Sequence, residues 1–160
     1  MAVPVILLVL AIAFLGCSQP SATDETAGLK DCGTDAQCIT AAANACEKAF
    51  ATITQASTSP KSSMSIKIII FGFEADEKCK TKYSIEKIKI DPDEKDAGTI
   101  QIVAGLLQGK DMTCLVPKEK LSETETGGLI SMQSEELNSM CKGSLVDTMN
   151  MVSGGANSGQ

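Results

Sequence analysis

The chain is 160 residues long, carries a formal net charge of −6, and contains no His, Arg or Trp, so its 14 basic side chains are all Lys. Without His, the commonest general base and zinc ligand is missing, and without Arg there is no planar fork to grip phosphate or guanine. The acidic balance repels nucleic acid at long range, so nucleic acid is not an expected partner, and neither a metal nor an organic cofactor is assigned.

The first element is the uncharged, apolar run from Met1 to Gly16, followed by Cys17 and the polar stretch Ser18-Gln-Pro-Ser-Ala-Thr-Asp-Glu-Thr. The run is shorter than the roughly 20 residues a membrane-crossing helix needs, which favours a cleaved signal. Leu15-Gly16-Cys17 in this setting resembles the lipobox of prokaryotic lipoproteins. That resemblance implies a signal peptide over 1–16, lipid attachment at Cys17, a tether over 17–30, and the outer face of the cell membrane or the surrounding medium as location. Cleavage by an ordinary signal peptidase, or an uncleaved anchor, are the alternatives. Stable anchoring would take more than one acyl-type chain.

Of the seven cysteines, Cys17 set aside leaves Cys32, Cys38, Cys46, Cys79, Cys114 and Cys141. An even set in an exported domain reads as three disulfides, and buried reduced thiols are the alternative. One α+β domain is expected over 31–152, with a disordered tail over 153–160.

Within that domain, residues 34–50 read as a helix. Thr34 and Gln37 fit a capping box, and Ile39, Ala42, Ala43, Cys46 and Phe50 recur on one face. Residues 51–58 alternate weakly up to a turn at Ser59-Pro60, and 63–75 form a strand that is apolar on both faces in its second half. The next strand, from Lys78 to Asp91, has its apolar positions on odd numbers through Ile85 and on even numbers from Ile88. One extra residue near Glu86 or Lys87 restores a single face, so a β-bulge is predicted there. Lys78, Lys80, Lys82, Lys87 and Lys89 then share the opposite face.

Asp91-Pro92-Asp93 ends that strand, and Ile100, Val103, Ala104 and Leu107 predict a short helix over 97–108. A short strand from Met112 to Val116 stops at Pro117, residues 122–128 read as a loop, and Ser134 caps a last helix interrupted at Gly143. The expected architecture is an N-terminal helix packed on a curved antiparallel sheet of three to four strands, cystatin-like in outline, with short C-terminal helices. The expected pairs are Cys32 with Cys38, Cys79 with Cys114, and Cys46 with Cys141.

The segment Asp31-Cys32-Gly33-Thr34-Asp35-Ala36-Gln37-Cys38-Ile39-Thr40-Ala41-Ala42, with Gly109-Lys110-Asp111-Met112-Thr113-Cys114, resembles a group of uncharacterised small secreted proteins and lipoproteins of archaeal genomes. The resemblance rests on these two segments and the leader. It implies an extracytoplasmic location and a disulfide-linked domain, and no activity.

Candidate chemistry is sparse. Asp91 to Gly98 has the carboxylate density of a calcium loop but not EF-hand spacing, since Lys95, Asp96 and Ile102 occupy the fifth, sixth and twelfth positions. A solvated turn is the preferred reading. Met149-Asn150-Met151 is a Met-x-Met pair suited to Cu(I), but methionines at helical spacing are more often core. The lysine stripe is a possible binding surface for an anionic polymer or partner, weighed against the solvent face of a strand. With no His and no Cys-x-x-Cys, no catalytic residue is assigned. The expected function is a non-catalytic domain that binds a protein, peptide or polymer outside the cell. Alternatives are an inhibitor of secreted proteases, since Gln101-Ile102-Val103-Ala104-Gly105 fits the cystatin Gln-x-Val-x-Gly string, and a Ser/Lys hydrolase.

Overall fold

The structure is a computed structural model that describes residues 24–91, 93, 97–121 and 134–156. The leader, Cys17, and the 122–128 loop lie outside the described residues, as does most of the acidic loop after Asp91.

Among the described residues six strands form one mixed sheet in sequence order: β1 (Lys30–Asp31), β2 (Ala49–Thr58), β3 (Lys61–Phe73), β4 (Lys78–Ile90), β5 (Asp111–Pro117) and β6 (Cys141–Lys142). β1 runs parallel to β2, and every other neighbouring pair is antiparallel. The α-helices are α1 (Ala36–Ala45), α2 (Ala97–Leu107), α3 (Ser134–Met140) and α4 (Ser144–Ala156), with a 3₁₀ turn at Lys118–Lys120. The α+β class holds, but the cystatin-like outline does not. β1 precedes the first helix and β6 extends the far edge, so the sheet has six strands of mixed direction instead of three or four antiparallel ones. The sheet dominates the molecule, and its helices are spread along the chain.

α1 is shorter than its apolar spacing predicts. Asp35, not Thr34, is its N-cap, and its carboxylate accepts from the amides of Gln37 at 2.9 Å and Cys38 at 3.1 Å. The helix ends at Cys46, which turns left-handed at φ 50° and donates to the carbonyls of Ala42 and Ala43. Phe50 therefore belongs to β2, because the chain must turn back at Cys46 to pair with β3. At the other end, α4 continues to Ala156, beyond the expected start of the tail.

The expected irregularity in β4 is present. Ser65 pairs with Lys87 and Ile66 with Ile85, leaving Glu86 without a register partner. A second shift falls in β3, where Ile70 pairs with Thr81 and Gly72 with Lys80, leaving out Phe71. The bulge at Glu86 keeps Cys79, Thr81, Tyr83 and Ile85 on one face with Ile88.

That face carries the core. Ile39 and Ala42 of α1, Ala49 and Ala51 of β2, Ile68 and Ile70 of β3, and Leu145 and Val146 of α4 join a single buried cluster with Cys79, Cys114 and Cys141. Disulfides link Cys32 to Cys38, Cys46 to Cys79, and Cys114 to Cys141. The first is the expected pair and the other two are not. Cys114 lies opposite Thr81, while Cys79 lies opposite Val116. A diagonal of that kind spans roughly 7–8 Å, wider than a disulfide tolerates. Cys114 instead faces Cys141 directly across β5 and β6, Cα to Cα 4.0 Å.

Candidate functional site

The helices do not cover the core face completely. Between β2, β3, β4 and β5 on one side and α2 and α4 on the other lies a cavity of about 180 Å³. Ile53 and Gln55 of β2 line it, as do Met64, Ile66 and Ile68 of β3, Tyr83 and Ile85 of β4, and Met112 of β5. Leu107 of α2 and Leu145 and Met149 of α4 form the roof. Among the described residues no charged side chain contributes to its wall.

Strand alternation builds the floor. Ile53 is the register partner of Ile66, Gln55 of Met64, Ile66 of Ile85, and Ile68 of Tyr83, so residues from neighbouring strands form continuous apolar rows. Burial gives the cavity a direction. Ile68, Ile85, Met112 and Leu145 are buried at the closed end, Met64, Tyr83, Leu107 and Met149 are partly buried, and Gln55 is exposed at the mouth. An apolar void of this size stays dry and is receptive to hydrocarbon. Three methionines in the wall add polarizable, unbranched side chains that adapt to the shape of an occupant.

Tyr83 is the only tyrosine of the chain. Burial pushes its phenol above the ordinary value, with a smaller opposing pull from the Thr81 hydroxyl. Thr81 Oγ1 is buried and makes no hydrogen bond of good geometry among the described residues, so that pull is weak. The neutral phenol is thus an apolar wall with one polar tip.

The helices that roof the cavity also show apolar side chains to solvent: Ile102 is 69% exposed and Met151 72%, with Leu106 and Val152 less so. From Ala97 to Leu107, α2 has no charged residue.

The lysine stripe lies on the other face of the sheet, where Lys78, Lys80 and Lys82 alternate with the buried Cys79 and Thr81. Lys78 pairs with Asp76 at 2.8 Å and Lys80 with Glu74 at 3.1 Å, while Lys80 Nζ also stands 5.6 Å from the Phe71 ring centre. Lys82 bridges Glu25 at 2.8 Å and Asp111 at 3.6 Å, and the Glu25 contact raises its pKa above the ordinary lysine value. Carboxylates therefore neutralise this half of the stripe. Lys87 and Lys89 are exposed beyond the bulge, opposite Ser65 and Ser63.

The other sequence candidates do not converge. Met149 lines the cavity while Met151 points to solvent, since residues two apart diverge around a helix. Gln101 to Gly105 sits inside α2 and not in a hairpin. The hydroxyl of Ser62 donates to the Pro60 carbonyl, that of Ser139 to the Glu136 carbonyl, and that of Ser65 lies 2.9 Å from Thr54 Oγ1. Ser144 contacts Asp111. Asp93 donates its amide to Asp91 as a simple turn. The cavity itself was not foreseen; the available signal was a methionine on each of three separate apolar faces, at 64, 112 and 149.

Three disulfides fit an oxidising, extracytoplasmic setting. Among the described residues no helix is long and apolar enough to cross a membrane. No family model, curated protein or solved structure matches the chain.

Proposed function

We propose that the protein is an exported, lipid-anchored, non-catalytic binding domain that holds the apolar part of its ligand in the cavity between the sheet and helices α2 and α4. The observation that carries this reading is the wall itself: Ile, Leu and Met side chains enclose about 180 Å³ with no charged group among them. A wall of this composition rewards hydrocarbon by the area it removes from water. The resemblance of Leu15-Gly16-Cys17 to a lipobox supports anchoring at Cys17, and the three disulfides support export. The neutralised lysines favour the apolar side of the sheet over the basic one as the recognition face.

Native mass spectrometry of the protein isolated from its own cells tests this. A 1:1 apolar component that is lost when Leu145→Phe fills the closed end supports the reading. A spectrum showing only the processed chain, with no bound component, contradicts it. Peptide mapping of the same sample reports cleavage before Cys17 and the mass of any lipid there.

A further inference from the structure

Resting on the cavity as ligand site, we infer that the ligand is an amphiphile with a single hydrocarbon chain: its tail lies across the strands and its polar head stays outside at Gln55. Three observations converge on this class. The first is shape. The floor runs from Ile53 of β2 to Met112 of β5, a span of four strands or roughly 14 Å at about 4.8 Å per strand. One amino-acid side chain reaching in from a bound peptide would leave most of that slot empty, whereas an extended alkyl chain follows it. The volume, about 180 Å³, is only a little larger than the roughly 150 Å³ that accepts benzene, which leaves room for one slender chain and not for two.

The second observation is polarity. The wall holds a single side-chain amide, that of Gln55, and it stands at the exposed lip beside Met64. Burial holds the Tyr83 phenol neutral. A charged or strongly hydrated group could not be desolvated inside without a partner, so the head must remain at the mouth. The third is the direction of burial, which closes the cavity at Ile68, Ile85, Met112 and Leu145 and opens it at Gln55. Together these fix tail-first entry.

Because the chain has one Tyr and no Trp, its intrinsic emission reports this cavity alone. Titrating the purified, naturally processed protein with decanoate should change Tyr83 emission saturably at one equivalent, while butyrate at the same concentrations changes nothing. Met149→Phe, which narrows the roof, should weaken decanoate by at least about tenfold, and Met64→Phe on the floor beside Gln55 provides the same test should the first variant fail to fold. Gln55→Ala should weaken decanoate and leave benzene unaffected. A Tyr83 response to lauroyl-lysophosphatidylcholine, a one-chain membrane lipid, as well as to decanoate would place the source of the chain in a membrane lipid, and a response to decanoate alone would make it a free amphiphile; both support the inference. If benzene alters Tyr83 emission and decanoate does not, the single-chain assignment is wrong and the cavity reading stands. If neither does, both fall.

Discussion

Cys46, the left-handed cap that ends α1, is bonded to Cys79, the second residue of β4, with their Cα atoms 5.7 Å apart. The bond ties the helix to the strand that carries Tyr83. It closes a sequence separation of 33, against 27 for Cys114–Cys141 and 6 for Cys32–Cys38. In the chain-entropy model the longer loops restrict the unfolded chain most. Replacing Cys46 and Cys79 together by Ala should therefore cost about 3–4 kcal/mol, and replacing Cys32 and Cys38 distinctly less. Urea unfolding of the two double variants checks this; an equal loss in both would show that loop length is not what matters.

Glu86 is the residue that lets β4 carry two apolar patterns of opposite parity on one face. Deleting a residue in mid-strand normally turns every later side chain to the wrong side. Deleting Glu86 should not, because Ile85 followed directly by Lys87 and Ile88 restores regular alternation. We expect that variant to fold with stability close to the parent, while deletion of Ser84, two residues earlier, should abolish cooperative unfolding. Circular dichroism during thermal unfolding distinguishes them. Comparable damage from both deletions would contradict the register.

Tyr83 links the cavity to pH. Its phenol is raised by burial, so the folded chain keeps this proton to higher pH than the unfolded chain, whose tyrosine titrates near about 10. The folded state binds more protons than the unfolded one above that point, so stability falls as pH rises from the unfolded value through the folded one. Absorbance at 295 nm should show phenolate forming at higher pH in the native protein than in urea. A native midpoint at or below the urea value would mean that Tyr83 faces water.

Much of this architecture is written in local patterns. The long strands β3 and β4, the extra residue at Glu86 and the helix over 97–107 follow from alternation and helical spacing, because a local period shows through in each of them. The Cys32–Cys38 bond is legible for the same reason, since seven consecutive residues must close on themselves. What failed was non-local. β1 and β6 are two residues long, too short for any period, yet they set the strand count and direction of the sheet. Without β6, nothing in the sequence tells that Cys141 stands opposite Cys114. Phe50 fits a helical face by spacing, but Cys46 has already reversed the chain. The cavity is a still later product, since it depends on where α2 and α4 come to rest over the sheet, and no single segment encodes that gap.

The most direct test of the ligand site uses the methionines as internal labels. Met64, Met112 and Met149 line the cavity, while Met140 and Met151 do not. With ¹³C-methyl methionine, NMR spectra of the protein as isolated from its cells would be compared with spectra after extraction of its apolar components. The methyl signals of Met64, Met112 and Met149 should move on extraction while those of Met140 and Met151 stay in place. Identical spectra, or changes confined to Met140 and Met151, would contradict it.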